Sequence, residues 1–503
     1  MALGQTLSRL WRGALGGFAG GFEAAQGNRR LRTFQPSRLH LNSLLLAAGP
    51  DITARARYLV RNNGYAANAV ESWAGNAVGA GINPSSHIAD ARLKSKLMEV
   101  WGRWTDVADA EGMTDFFGLQ RRAAREMFIA GEAFLLFRAR PAASGLPVPL
   151  QLQLVPGEML PLSKNEALPK GGVIRCGIEF DAQGQRVAYH FLPRHPGDVT
   201  QANLTQANPT LETVRVPASD VIHLLDAAEA GQLRGVSRLA PAIVKLFLLD
   251  QYDDAELDRK KVAAMHALFI TTPAPAEPFD SAEETAPNGE RVMDVQPGQI
   301  MMLEPGEQVQ TSSPADVGLT YEPFQYRTIL QIAAATGVPY AYVSGDMLKA
   351  NYSNSRLALL EFRRRVEAWQ HAVMAFQMCR RVWERWMDMA VLAGALTLRG
   401  YDVKRADYLA CDWLPPKWDW VDPLKDARAE IEQISSGLKS RTQAIAERGY
   451  DIAQVDAQIA AERQRESELG IAFQQTILPQ NLTLDGANDA APPDANTTDE
   501  LLP

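Results

Sequence analysis

Apolar and polar positions follow two different periods along this chain, and the change of period divides it into parts. In its early part, apolar residues recur every three or four positions, which is the spacing of one face of an α-helix. The pattern predicts helices over 51–81 and 89–106, and a third helix that begins after Asp115. We expect Asp51 and Asp115 to be N-caps, because a carboxylate accepts hydrogen bonds from the first free backbone N–H groups.

After residue 131 the period shortens to two, which is typical of β-strands with one buried face. Predicted strands lie at 132–140, 149–155, 173–180, 186–192, 212–216 and 220–225. The segment Asp181–Gly184 has the composition of a hairpin turn. Helices followed by a mostly antiparallel sheet predict an α+β fold for this part.

Helical spacing returns at residue 238, where Ser237 is a candidate N-cap, and again over 322–336. The stretch between these two helices is rich in proline and acid, with strand candidates at 299–303 and 307–311. It indicates either a surface excursion or a small projecting domain. The next segment, 337–354, is polar, glycine-bearing and aromatic, and it is too long for an idle turn.

A single long helix is predicted over 355–393, which contains neither glycine nor proline. At 1.5 Å per residue it is about 58 Å long, too long to be buried in one compact domain. We expect it to be a spine shared between domains or subunits. Its apolar seam is spaced by three and four residues: Leu359, Phe362, Val366, Trp369, Val373 and Phe376.

The chain ends in a tryptophan-rich connection, further helices over 423–469 and a low-complexity tail from residue 480. Ser440 and Gln443 predict a capping box, and Gly449 a helix stop. The tail of Asn, Asp, Ala, Pro and Thr is predicted to be disordered.

Charge limits the functional classes. The 503 residues carry a net charge of −8, whereas proteins that grip nucleic acid usually show a basic excess. Any DNA contact is therefore expected to be local, loose or built from many subunits. The first 50 residues are locally basic, with six arginines against Glu23 alone. They predict a flexible arm, either a solvated tail or a segment touching DNA or a shell protein.

Cysteines and hydropathy add two expectations. Three cysteines without a C-x-x-C pair indicate free, mostly buried thiols and argue against a disulfide framework or a zinc site. No run of 18 apolar residues occurs, so no membrane span is predicted. We therefore expect no metal, no cofactor and no membrane association.

Motifs for catalysis are missing from the sequence. It contains no G-x-x-x-x-G-K-[ST], no H-E-x-x-H and no G-x-S-x-G. His190 and His195 flank a strand end, where a surface role is expected, and His223 lies in a strand as a core histidine. An alternative is a hydrolase that uses Ser237 with His223 and an acid, but no motif supports it, and we expect no enzyme.

Several strings, in order along the chain, resemble the lambda-type bacteriophage portal family. The most specific is a GVPY turn followed by NYSNSR and a long helix with an arginine-rich start. Together the similar strings extend the resemblance over roughly residues 30–470. They are RYLVRNNGYAANAVESWAGNAVGAGINP (57–84), DVIHLLDAAEAGQLRGVSRLAPA (220–242), LEPGEQVQ (303–310) and ATGVPYAYVSGDMLKANYSNSRLALLEFRRRVEAWQ (335–370).

The resemblance implies a subunit with an α+β wing, paired stem helices, a small β-containing clip, a long spine helix and a helical crown. The implied parts are wing 51–237, stem helices 238–264 and 322–336, clip 265–321, tunnel loop 337–354, spine 355–400, a tryptophan-rich connection returning to the wing at 401–422 and crown 423–470. The flexible basic arm over 1–50 and the disordered acidic tail over 471–503 are predicted from composition, and the resemblance implies nothing for the tail.

The resemblance also implies a function: a ring, usually of twelve subunits, at one capsid vertex. Double-stranded DNA passes through it without sequence preference. The implied partners are the terminase large subunit, a head-tail connector, and the major capsid or scaffold protein. The location is the virion, and the host cytoplasm during assembly. DNA-facing candidates in the loop are Ser344, Asp346, Lys349, Asn351, Tyr352 and Asn354; docking candidates in the clip are Glu277, Asp280, Glu283, Glu284 and Glu290.

Two further alternatives remain beside the hydrolase. Another head-tail connector ring is one, although connectors are generally shorter and lack the long helix over 355–393. A monomeric DNA-binding module is the other, and the charge balance opposes it. For the tunnel loop, the competing interpretation is a surface loop that Tyr340 and Tyr342 pack against the core.

Overall fold

The computed structural model describes most of the chain and, in the predicted clip, the backbone of four short strands. The described residues are 29, 31–198, 212–264, 268–271, 284–285, 291–292, 308–311, 321–347, 352–416, 418 and 423–471. None of the helices described there is both long and apolar enough to cross a membrane.

The first two helices correct the predicted helix over 51–81. Helix α1 spans Leu41–Asn62 and α2 spans Gly64–Val78. Asn63 separates them, because its extended backbone ends α1 while its side chain accepts from the N–H of Ala66 as the N-cap of α2. Asp51 is therefore not an N-cap and lies inside α1. Pro50 also lies within α1, where the carbonyl it leaves without a partner belongs to the exposed Leu46.

The predicted arm over 1–50 is too long, since α1 starts at residue 41. His40 caps the helix by accepting from the N–H of Asn42. The Asn42 amide in turn donates to the carbonyl of Gly231 and accepts from the N–H of Leu233, both at 2.9 Å. This side chain ties the start of α1 to a loop 190 residues away in sequence.

Two further helices precede the sheets. Helix α3 spans Ala91–Thr105 with Asp90 as its N-cap, and α4 spans Phe116–Ala130 with the predicted N-cap Asp115. The Asp115 carboxylate accepts from the N–H of Gly118 at 2.7 Å. Both predicted helices are confirmed, with bounds shifted by one or two residues.

The α+β prediction is confirmed, because the strands that follow these helices form two antiparallel sheets. A three-stranded sheet has the order β3-β2-β9, and a five-stranded sheet runs from β4 to β8 in sequence order. The short strand β1 precedes them at Asn83–Ser86. The other bounds are β2 Glu132–Ala139, β3 Leu150–Val155, β4 Glu166–Ala167, β5 Val173–Arg175, β6 Ile178–Phe180, β7 Arg186–Phe191, β8 Val214–Pro217 and β9 Val221–Leu225.

One predicted strand, 173–180, is divided in two by a turn. Cys176 and Gly177, between β5 and β6, both have positive φ, 51° and 83°. A two-residue hairpin loop with positive φ at both positions matches the right-handed twist of the flanking strands. The predicted turn after Asp181 is also present, since its carboxylate accepts from the N–H groups of Gln183 and Gln185.

The spine is a continuous helix that starts earlier and ends earlier than predicted. Helix α8 spans Tyr352–Trp369, a π-helical segment spans Gln370–Cys379, and α9 spans Arg380–Leu392. Trp369 packs against Trp73 of α2 with ring centroids 5.6 Å apart, and Trp386 packs against Trp101 of α3 at 4.9 Å. The spine therefore lies along helices α2 and α3 and shares their core.

The predicted seam is correct up to Val373 and wrong at Phe376. Phe362, Val366, Trp369 and Val373 are buried, whereas Phe376 is 58% exposed. A π-helix bonds residue i to i+5 and so has more residues per turn than an α-helix. The buried face is therefore displaced by one or two positions, and Met378 and Val382 continue it.

The two predicted stem helices pack against each other. Helix α5 spans Ile243–Ala264 and α6 spans Tyr321–Thr336. Tyr252 stacks on Tyr321 with centroids 5.9 Å apart, and the Tyr321 hydroxyl donates to Asp253 at 2.9 Å. The first helix begins five residues later than predicted, after a turn in which Ser237 Oγ accepts from the N–H of Leu239.

Only backbone is described between the stem helices. Strands β10 (Leu268–Thr271) and β13 (Gln308–Thr311) pair antiparallel, as do β11 (Glu284–Thr285) and β12 (Arg291–Val292). Strand β13 lies at the predicted position 307–311. The strand predicted at 299–303 lies outside the described residues.

The C-terminal part returns to the wing and then becomes helical. Helix α7, described below, is a single turn at Tyr340–Ser344; helix α10 spans Tyr401–Leu409, and β14 (Cys411–Leu414) pairs with β1. Helices α11 (Pro423–Ser435), α12 (Arg441–Ala446) and α13 (Ile452–Leu469) follow. The capping box of Ser440 and Gln443 is confirmed, and Gly449 has the positive φ, 78°, expected of a helix stop.

Candidate functional site

The base of the predicted tunnel loop is a single helical turn held between two glycines. Gly337 ends α6 with a φ of 72°, and Gly345 ends α7 with a φ of 74°. Both conformations favour glycine because a side chain would collide with the following carbonyl. Val338 and Val343 are buried and fix this turn to the core.

Two polar side chains of α2 hold the end of α7. The Asn68 amide donates to the carbonyls of Tyr342 and Val343 at 2.8 and 3.2 Å, and Ser72 Oγ donates to that of Tyr342 at 3.0 Å. The last carbonyls of any helix lack a partner within the helix. Helix α2 supplies those partners and sets where the loop leaves the core.

Tyrosine rings complete the anchor. Tyr342 packs edge-on against Phe362 of the spine at 5.9 Å, and Tyr340 packs against Tyr326 of α6 at 4.9 Å. These contacts agree with the interpretation that Tyr340 and Tyr342 pack against the core. They fix only the base of the loop. The segment that would face DNA begins after this base.

Of the six loop candidates, the described structure brings two together. Ser344 Oγ accepts from the N–H of Asp346 at 3.1 Å, and Asp346 accepts from the Tyr340 hydroxyl at 3.2 Å. Tyr352 and Asn354 lie in the first turn of α8 and not in a loop, so the predicted loop end at 354 is corrected to residue 351. Lys349 and Asn351 lie outside the described residues.

Of the five clip candidates, the described residues include one. The backbone of Glu284 opens β11, where it pairs with Val292. Glu277, Asp280, Glu283 and Glu290 lie outside the described residues.

Sequence analysis missed a buried ionic network in the wing. Glu132, the first residue of β2, accepts from Arg234, from the His223 ring at 3.1 Å and from the N–H of Gly235 at 2.9 Å. Burial alone raises the pKa of Glu132, but Arg234 and His223 outweigh it and lower that pKa to about 2. The only signal was a charged residue at the head of the apolar run EAFLLF.

The other N–H groups of Arg234 donate to backbone carbonyls. They donate to the carbonyls of Cys176 and Gly157, both at 2.9 Å. A buried charge needs such partners because its desolvation is costly. The guanidinium therefore connects β2, the β5–β6 turn and the loop after β3.

The core position predicted for His223 is confirmed, whereas the surface position predicted for His190 is wrong. His223 is a core histidine as predicted: it is buried, stacked on Phe134 at 4.4 Å and bonded to Glu132. His190 is not on an open surface, since its ring is largely covered and contacts Glu179 at 2.9 Å. His195 accepts from the N–H of Gly197 through its ring in an exposed turn.

The described residues do not assemble the hydrolase alternative. Ser237 Oγ accepts from Leu239, while the contacts of His223 are with Glu132 and Arg186. Within the described part of the chain, no group of three or more His, Cys, Asp and Glu residues is placed to hold a metal ion. The three cysteines, all described, are free, with two buried and one half-buried.

Comparison with known families finds a match over residues 27–370 to "Phage portal protein, lambda family". The chain belongs to the lambda family of phage portal proteins.

Curated relatives have the same description. The chain is 23% identical to "Portal protein B" of Escherichia phage lambda, over 90% of this chain and 91% of that protein. It is 24% identical to the "Portal protein" of Escherichia phage N15, over 93% of both chains. Its 26% identity to the "Probable portal protein" of Halomonas phage phiHAP-1 spans 64% of this chain and 61% of that relative.

Similar solved structures include a chain from the "Neck of native GTA particle computed with C12 symmetry". It has a TM-score of 0.44 and 16% identity over 85% of this chain and 94% of that one. An HK97 family phage portal protein from Corynebacterium diphtheriae has a TM-score of 0.32 and 13% identity over 75% of this chain and 97% of that one.

Proposed function

We propose that this chain forms a closed ring of about twelve copies at one capsid vertex, the conduit for double-stranded DNA during packaging and ejection. The observation that carries the ring is the uncovered apolar face of α5. Val244, Phe247 and Leu248 are exposed there at helical spacing, in a helix whose other side packs on the core. An apolar helix face of this kind is stabilised by a neighbouring subunit.

The charge of the chain suits a conduit. A strongly basic tunnel wall would release the counterions condensed on DNA, and its affinity for DNA would rise steeply with each phosphate contact. An acidic chain with scattered bases lets a duplex slide. We assign weak, sequence-independent phosphate contacts to Lys349 and Asn351 of the loop and to Tyr352 and Asn354 in the first turn of α8, with Ser344 and Asp346 at the base of the loop.

The remaining assignments follow from membership of the family. The clip, with its acidic residues Glu277, Asp280, Glu283, Glu284 and Glu290, is proposed as the docking end for the terminase large subunit and the head-tail connector. Contacts with the major capsid or scaffold protein are proposed for the wing. The chain functions without catalysis, in the host cytoplasm during assembly and then in the virion.

Native mass spectrometry with negative-stain imaging of the purified full chain tests the ring. The expected result is a particle of about a dozen copies with a central hole. Phe247→Glu with Leu248→Glu should leave smaller species, while Met113→Glu, an exposed apolar position outside α5, should not. Intact rings from the α5 variant would contradict the proposed contact; a wild-type monomer that no capsid or scaffold protein assembles would contradict the ring.

A further inference from the structure

A cleft of about 590 Å³ lies between the spine helix and the sheet strands β7 and β9. Gln377 of the π-helical segment closes one side, since its amide accepts from the N–H of Leu225 at 2.9 Å and donates to its carbonyl at 3.0 Å. This pairing satisfies the backbone of Leu225, the last residue of β9. The charged side chains that line the cleft are Arg186, Arg380, Arg381 and Glu384, beside the buried His223.

Three arginines and one carboxylate, Glu384, line the cleft, so its positive charge is only partly balanced. Among the described residues, none of Arg186, Arg380 and Arg381 forms an ion pair with an acidic side chain. Arg381 donates to the carbonyls of Ala218 and Val221 at 3.3 and 3.4 Å, and Arg380 lies over the Phe376 ring at 5.6 Å. These contacts hold the guanidinium groups in place without neutralising them.

The chemistry of the cleft selects a carboxylate-bearing ligand with apolar neighbours. Guanidinium groups bind carboxylates through paired N–H donors, and all three arginines are exposed and open to such a ligand. The exposed ring of Phe376 borders the same cleft and offers an apolar surface. A ligand that joins acidic and aliphatic side chains satisfies both features.

This chain carries such a sequence outside the described residues. Residues 472–503 contain five acids and no base: Asp485, Asp489, Asp494, Asp499 and Glu500. Leucines stand next to the first and last of them, in Leu484–Asp485 and Glu500–Leu501–Leu502. The segment therefore matches the cleft in charge and in apolar character.

The connecting chain is long enough to reach. The N-cap of α13, Asp451, binds Lys94 at 2.7 Å and the hydroxyl of Ser85, which pairs with Asp412 of β14. Trp413, the next residue, contacts Trp383 at 6.2 Å, one helical turn from Arg380. Helix α13 has 18 residues and is about 27 Å long, and the 14 residues 472–485 can span about 46 Å when extended, which exceeds the length of the helix.

We propose that the acidic segment 485–500 binds in the arginine cleft of its own chain. Its carboxylates pair with Arg186, Arg380 and Arg381, and a flanking leucine covers Phe376. One consequence is protection from polyanions, because an occupied cleft presents no free arginine cluster to a phosphate backbone. This inference stands apart from the proposed ring and holds for a monomer as well.

Fluorescence anisotropy with a labelled peptide of residues 480–503 tests the proposal. The receptor is the full chain with its own segment neutralised by Asp485→Asn, Asp489→Asn, Asp494→Asn, Asp499→Asn and Glu500→Gln. We expect saturable binding that weakens with added salt. Arg380→Glu with Arg381→Glu should weaken it about tenfold or more, whereas Arg399→Glu, an exposed arginine outside the cleft, should not.

Two further measurements leave the arginines of the cleft unchanged, so their outcome does not depend on how the arginine variants fold. A peptide with the same five positions neutralised should not bind the unmutated cleft, and the wild-type chain should bind the acidic peptide less tightly because its own segment competes. Equal binding of the acidic and neutral peptides would overturn the proposal. So would a short DNA duplex that binds the cleft equally well in the wild-type and neutralised chains, since DNA would then be the occupant.

Discussion

Glu132 and Arg234 form an ion pair of 2.7 Å inside the wing, with 6% and 4% of their side chains exposed. They lie 102 residues apart in the sequence. The pair joins the central strand β2 to the loop before α5. The stability of this connection therefore depends on each of the two buried charges, Glu132 and Arg234, keeping its partner.

Arg234→Met should destabilise the fold strongly. Removal of one partner leaves the Glu132 carboxylate uncompensated in the core, a change that typically costs about 3–5 kcal/mol. Urea unfolding followed by tryptophan fluorescence measures it. Lys96→Met is the matched control, because its partner Glu99 is half-exposed and such pairs contribute about 0–1 kcal/mol. Equal unfolding midpoints for both variants would contradict the assigned role.

The same pair predicts a dependence of stability on pH. The pKa of Glu132 is lowered from its ordinary 4.5 to about 2, by Arg234 and His223 acting against burial. A carboxyl with a lowered folded-state pKa stabilises the fold fully above its unfolded value, and this contribution is lost as the pH falls from 4.5 towards 2. Unfolding midpoints measured across that range should decline less steeply for Glu132→Gln than for the wild type; parallel declines would refute the assignment.

Local patterns predicted most elements of the wing, and residues distant in sequence explain the errors. The caps at Asp115 and Ser440 depend on hydrogen bonds within four residues, which the sequence displays directly. The network of Glu132 depends on residues about a hundred positions away, and no local period reports it. For the candidate loop, the sequence indicated a polar, glycine-bearing and aromatic segment, but the anchors Asn68 and Ser72 belong to a helix about 270 residues earlier.

In the π-helical segment, α-helical spacing predicts the wrong burial for two nearby residues, Phe376 and Met378. The seam of three and four residues predicts that Phe376 is buried, yet it is exposed and Met378 is buried. Met378→Ala should therefore cost about 2–5 kcal/mol. Phe376→Ala should change stability by only about 0.5 kcal/mol. The urea midpoints of the two variants decide between the α-helical and π-helical arrangements. A larger loss of stability for Phe376→Ala than for Met378→Ala would favour the α-helical arrangement.

Asn68 should control how firmly the loop base is held. Asn68→Ala leaves the carbonyls of Tyr342 and Val343 with fewer donors, and an unmet buried acceptor costs about 1–3 kcal/mol. Amide hydrogen exchange should accelerate at residues 340–347 and stay unchanged in β2. Asn76→Ala serves as control on the same helix, since its amide bonds only to the carbonyl of Ser72. Unchanged exchange in the Asn68 variant would show that the aromatic contacts alone hold the base.

Lys349→Glu tests the proposed path of DNA. In a ring of about twelve copies, this change replaces about twelve positive charges by about twelve negative ones at one level of the tunnel, a net change of about −24. The repulsion should slow the passage of a phosphate backbone without altering subunit contacts. We expect rings of normal size in negative stain and several-fold less DNA packaged per particle in a reconstituted packaging assay. Lys404→Glu, the same reversal at an exposed position on α10, should package normally. Normal packaging by Lys349→Glu would remove the loop from the DNA path, whereas a failure to form rings would give the residue a role in assembly.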